Sequence, residues 1–166
     1  EVLGIPLQVQ WSWSDPESAF AGWMRASEEL GVLVLRTSDV ATSEMRGFSI
    51  AGDVPVAVVN ALDWPRGQVF TLVHELAHLM IREAGICNLL EDQSHDPQVE
   101  AWCNAVAAST LMPADVFAEQ LGASAVRSDW PEELIGQLSH KWSVSREAIV
   151  RRLVTIGYAP VSFYEA

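Results

Sequence analysis

Basic residues are scarce in this chain. Ten Lys and Arg stand against 22 Asp and Glu in 166 residues, giving a formal net charge of -12 and a pI near 4.6. A field of that sign repels phosphate backbones and disfavours direct contact with DNA or RNA. Cysteine is nearly missing too, with only Cys87 and Cys103. Two thiols make no disulfide framework at this length and suit a reducing compartment, so a cytoplasmic setting is expected. No apolar run approaches the ~20 residues that span a bilayer, and no basic segment followed by an apolar core marks a signal peptide. No membrane partner is expected. Repeats and low-complexity segments are also lacking.

Apolar bulk, by contrast, is plentiful: 49% of the residues are hydrophobic and seven are tryptophan. A single domain of this size buries a core without staples. The chain opens at Glu1 rather than at a methionine, which reads as a piece of a longer protein whose upstream part could carry another domain. Trp11 and Trp13 could then cover a neighbouring domain.

Turn and cap residues divide the chain. Asp15-Pro16 reads as an N-cap followed by a first-turn proline, and Gly31 closes that helix. Strands are predicted at residues 31–36 (GVLVLR), 46–50 (RGFSI) and 55–60 (PVAVVN), with a Gly52-Asp53 turn between the last two. Asp63 and Pro65 start a helix that runs to about Glu83 and stops at Gly85. Asp96-Pro97 opens another, ended by Met112-Pro113. Shorter helices follow near 113–121, 131–141 and 146–156. The expected fold class is α+β, a small early β-sheet packed on a mainly helical remainder. A core of residues 1–125 or so and a helix-turn-helix-like part of about 126–166 would make one domain.

The chemistry concentrates in residues 70–81, FTLVHELAHLMI. His74 and His78 are four apart, which on a helix puts both imidazoles on one face, a turn from each other. Glu75 sits about 100° round the helix from His74, placed to flank a shared ion and polarise a water rather than to ligate. Apart from these three and Thr71 the segment is apolar, the composition of a buried helix. Buried imidazoles and a buried carboxylate need partners, and a zinc ion supplies one. A catalytic zinc takes three protein ligands and keeps a fourth position open. Glu100, on the following helix, is the candidate third ligand, and Asn104, one turn on, would hydrogen-bond a histidine ring. Ala101, Ala105, Ala107 and Ala108 would let the two helices pack closely. Glu83, Glu91, Asp92 and Asp96 are weaker candidates, one on the motif helix itself and three in a loop.

These residues resemble a known family. FTLVHELAHL followed by an E-x-x-x-N helix ending in L-M-P is similar to the ImmA/IrrE metallopeptidases of bacteria and their mobile elements. RGFSI, PVAVVN with its terminal Asn60, WSVSREAIVRRLVTIG and the closing Ser162-Phe163-Tyr164 extend the likeness from about Leu30 onward. The resemblance implies a zincin-like domain with His74, His78 and Glu100 on zinc and Glu75 as general base. It implies a protein substrate, a helix-turn-helix transcriptional repressor, with stress or mobile-element genes released by its cleavage. It also implies that a helix-turn-helix module precedes this segment in longer members. One departure is Gln68, where relatives often carry a basic residue; an effect on surface electrostatics or substrate fit is expected there.

Several assignments stay open at this level. The second oxyanion donor could be His95, His140, Tyr158 or Tyr164. Strand 55–60 could pair with an extended substrate backbone, with Asn60 contacting substrate, or be an ordinary buried strand. Residues 131–157 have helix-turn-helix spacing, with Val144-Ser145 at the turn and Arg146, Arg151 and Arg152 beyond, so a DNA-binding module is the rival reading from another class. A regulatory or sensor module that keeps zinc without peptidase activity is a third.

Overall fold

The computed structural model describes residues 4–83, 97–122, 127 and 129–164. Cys87, Glu91, Asp92, His95 and Asp96 lie outside the described residues, as does the Glu83 side chain. The fold is α+β. In chain order the helices and strands are α1 (Leu7–Gln10), α2 (Pro16–Glu29), β1 (Leu33–Thr37), β2 (Gly47–Ile50) and β3 (Val56–Asn60). There follow α3 (Pro65–Glu83), α4 (Pro97–Leu111), α5 (Ala114–Leu121), α6 (Glu132–Trp142) and α7 (Arg146–Thr155), then a 3-10 turn at Val161–Phe163. The elements read from turn and cap residues are all present. The short α1 is an addition. Four residues after Pro6 carry no detectable periodicity, and tertiary ties hold the turn: buried Gln10 donates from Nε2 to the Leu111 and Trp142 carbonyls at 3.0 and 3.2 Å.

Capping residues set the longer helices. Asp15 accepts a hydrogen bond from the Ser18 N–H at the start of α2, and Ser145 accepts one from the Ala148 N–H at the start of α7. The three strands form one sheet in the order β1-β3-β2, with β3 parallel to β1 and antiparallel to β2. Of the two readings of 55–60, this order fits the buried strand: β3 is the middle strand, hydrogen-bonded on both sides, and β1 and β2 are the outer ones. The inner face, through Val34, Ala57 and Val59, joins a core cluster with α2 and α3. The outer face keeps Leu33, Leu35, Phe48 and Ile50 in register and exposed, Ile50 at 51%.

Helix α3 lies at the centre of the packing, against α2, α4, β2 and β3. Val69, Leu72, Val73, Leu76 and Leu79 are buried along it, so one apolar side locks the helix while the other turns to a groove. The same core runs on through Leu111, Phe117, Trp142, Ile149 and Leu153 of α4 to α7. Trp11 and Trp13, both half-buried, pack against this domain's own core. Trp11 stands edge-on to Trp142 at 5.4 Å and Trp13 to Trp23 at 6.0 Å. None of the described helices is long and apolar enough to cross a membrane.

Candidate metal centre

The histidines and Glu100 come together. His74 and His78 project from α3 with their Nε2 atoms 3.1 Å apart. Glu100 reaches across from α4, placing Oε2 at 3.3 Å from His74 Nε2 and Oε1 at 3.1 Å from His78 Nε2. The three residues offer ligand atoms within 4.8 Å of one another, a group that could hold a metal ion. A proton shared as imidazolium is disfavoured here, because His74 is held below its ordinary pKa, first by burial and then by the charge of His78. Glu100 and Asn104 oppose that shift. A divalent cation at the point of convergence satisfies all three groups without a charged imidazole, so the donor set fits a metal.

Asn104 stands close enough to His74 to favour its protonated form. Nδ1 of His74 is buried and has no hydrogen-bond partner among the described residues. Small residues of α4 divide differently from expectation. Ala107 and Cys103 are buried, Cys103 in a small cluster with Ala77 and Ile81 of α3. Ala101, Ala105 and Ala108 instead line the cavity that opens over the site. They make room in the groove rather than between the helices.

Glu75 is buried at 7% exposure and also lines that cavity, whose volume is about 920 Å3. Gly47 of β2 explains how the carboxylate and an edge strand come so near each other. A Cβ at Gly47 would stand 2.4 Å from Thr71 Cγ2, 2.9 Å from the Val58 carbonyl and 3.3 Å from Glu75 Oε1. Only glycine lets β2 lie this close to α3. The strand's own Arg46, Gly47, Phe48 and Ser49 border the groove. The sequence names RGFSI only as part of a resemblance; the spatial meaning of its glycine needs the register.

Two polar residues read as functional turn out to be occupied elsewhere. Asn60 is fully buried, its Nδ2 donating to the Val40 and Met45 carbonyls and its Oδ1 accepting from the Leu62 N–H. It ties down the loop before β2 and the turn after β3, and its amide has no donor left for a substrate. Gln68 is not a surface residue either. At 1% exposure it donates from Nε2 to the Ala61 and Asp63 carbonyls, fixing the approach to α3. A polar type at either position signals loop anchoring, which sequence alone does not distinguish from contact with a ligand.

The C-terminal helices complete the groove. Ser145, Glu147, Ala148, Arg151, Arg152 and Tyr164 line it from α7 and the chain end. Arg151 pairs with Glu147 at 2.9 Å and with the Tyr164 hydroxyl, and that hydroxyl donates to Glu147 at 3.0 Å. Of the oxyanion candidates within the described residues, Tyr164 alone borders the cavity. His140 meets Arg66 at 3.1 Å, and Tyr158 packs against the core.

A family model for the IrrE N-terminal-like domain, peptidase family M78, matches residues 27–154. The chain belongs to this family. The match takes in α3 and α4 whole and α7 as far as Val154. Among curated proteins, none matches the chain. Solved structures do, among them a Mycobacterium tuberculosis transcriptional regulator at 16% identity and a TM-score of 0.57. The likeness covers 89% of this chain but 44% of that one, so the chain spans less than half of the mycobacterial protein, and the likeness concerns the fold alone. Membership in the IrrE N-terminal-like family agrees with a peptidase or regulatory role and with the His74, His78 and Glu100 group.

Proposed function

We propose that the chain is a zinc-dependent endopeptidase domain that hydrolyses a peptide bond of a protein substrate, a helix-turn-helix transcriptional repressor, in the cytoplasm. The observation that carries this reading is the meeting of two imidazole nitrogens and one carboxylate from α3 and α4 beside a second, buried carboxylate in one groove. His74, His78 and Glu100 would hold zinc, with Asn104 steadying His74. Zinc supplies Lewis-acid polarisation of a carbonyl and of a water.

The remaining work falls to the chain. Glu75 accepts a proton from the attacking water as the new C–O bond forms. It then returns that proton to the amine nitrogen as the C–N bond breaks. The outer strand β2, paired on one side among the described residues, borders the groove and suits pairing with an extended substrate backbone.

Incubating the zinc-loaded protein with a co-encoded repressor, and mapping fragments by mass, tests the reading. Glu75→Gln should retain zinc and lose turnover by about 10²–10⁴-fold. Cleavage by Glu75→Gln at the wild-type rate would sink the mechanism. A regulatory module that holds metal without turnover is the rival, favoured by the likeness to a mycobacterial transcriptional regulator. Repressor bound by the wild type but left intact would select it.

A further inference from the structure

Away from the ligand triad, the groove contains a second charged group of unusual setting. Arg152 lines the cavity yet is only 5% exposed. Its Nε donates to the Met112 carbonyl at 2.9 Å, and one Nη lies 3.5 Å from Ser109 Oγ. The protein thus takes up two of the five donors a guanidinium carries. Arg151 next to it is neutralised by Glu147, whereas no carboxylate among the described residues is within ion-pair distance of Arg152.

A buried cation without a counter-ion is costly. Burial depresses the pKa of Arg152 accordingly. The carbonyl end of α4 offsets part of that cost, being equivalent to roughly half a negative charge. The rest is left for a partner from outside. Room for one exists, since Ala101, Ala105 and Ala108 line the same cavity with minimal side chains. Arg46, exposed at the start of β2, adds a second positive group to the lining. In a chain of net charge -12, an arginine kept buried without an acidic neighbour in a substrate groove calls for an anion.

We infer that Arg152 forms a subsite that receives a carboxylate of the bound polypeptide, namely the side chain of an Asp or Glu near the cleaved bond. The planar fork of a guanidinium matches a carboxylate bidentately, which gives position as well as attraction. This assignment rests on the groove being a peptide-binding cleft and adds the residue type it selects.

The test uses zinc-loaded protein and fluorogenic peptides with amidated C-termini, identical except for Glu or Gln at one position at a time. At one position the Glu peptide should give a kcat/KM at least about tenfold above its Gln counterpart. Arg152→Gln should bring that ratio close to one, and Arg152→Lys should restore part of it. A purely structural role for Arg152 would lower both peptides together and leave the ratio unchanged. If Arg152→Gln does not fold, the wild-type ratio still decides: a value near one at every position overturns the subsite. A preference that survives Arg152→Gln but disappears in Arg46→Gln also overturns it. Peptides with free C-termini and no acidic residue form a separate arm; a preference for these alone would mean a terminal carboxylate is bound, against the inference.

The two readings fail separately. Cleavage without acid preference removes the subsite and leaves the peptidase. Tighter binding of Glu than Gln peptides to the zinc-loaded Glu75→Gln variant, by fluorescence anisotropy, with no cleavage by the wild type, removes the peptidase and leaves the subsite. Absence of both acid-selective binding and acid-selective cleavage removes the subsite outright.

Discussion

Helices α3 and α7 both bury an apolar side in one core and turn polar groups to the same groove, but those groups are compensated differently. On α3 the polar residues face one another and Glu100, a set that could hold a metal ion taken from solution. On α7 the protein compensates Arg151 through Glu147 and Tyr164, and Arg152 only in part through the α4 carbonyl end. The contrast teaches where chemistry and stability separate. Polar substitutions on α3 should change metal and turnover with little loss of fold, whereas α7 ties its polar groups into the architecture.

The largest expected effect concerns what the two helices share. Leu72→Ala on α3 and Leu153→Ala on α7 remove fully buried side chains from one cluster. Each should cost about 2–5 kcal/mol in urea unfolding, in one cooperative transition. A separate early transition for Leu153→Ala would break the comparison by making α7 an independent unit. Next comes Glu100→Ala, expected to lower zinc affinity by more than the ~10–100-fold typical of losing an outer-shell contact. Competition with a chelator measures it, and unchanged affinity would remove Glu100 from the ligand set.

Gly47→Ala should be smaller but double-edged. The added methyl meets Thr71 and a backbone carbonyl, so a loss of about 1–3 kcal/mol is expected with a fall in turnover as Glu75 is displaced. Wild-type turnover in that variant would show that β2 and Glu75 do not need this close approach. Ser145→Ala should cost about 1 kcal/mol by removing the cap of α7, read from the thermal midpoint. The smallest effect separates two caps by pH. Asp15, capping α2, has its pKa lowered from 3.8, chiefly by the Ser18 N–H and then by the Ser14 hydroxyl. Its contribution is present above 3.8 and is lost as pH falls through the depressed value, whereas the Ser145 cap is insensitive to acid. The stability gap between wild type and Asp15→Ala should therefore shrink on acidification, and a constant gap would refute the assignment.

Much of the fold was legible because it depends on local signals. Caps and prolines marked α2 to α7, and the four-residue spacing of His74 and His78 needs only helix geometry to bring the rings together. Glu100 was legible in a weaker sense, since a carboxylate one helix further on had to be chosen among several. Strand order was not legible. Nothing local in VAVVN or GFSI says which will be hydrogen-bonded on both sides, and that decides which strand can meet a substrate. Asn60 and Gln68 were ambiguous for a related reason: a polar side chain that turns back to its own loop carbonyls looks, in sequence, like one that faces a ligand. Arg152 looked like part of a basic helix face until burial separated it from Arg151.

The edge-on contact between Trp11 and Trp142 has a practical consequence. Indoles 5.4 Å apart at 86° couple their excited states, so this pair should give the protein its own ultraviolet circular-dichroism signature. Because one indole follows α1 and the other ends α6, the signature reports whether the first turn is seated on the body of the molecule. Lifting that turn would erase the coupled band while leaving the far-ultraviolet helical signal nearly intact, with no added dye or label.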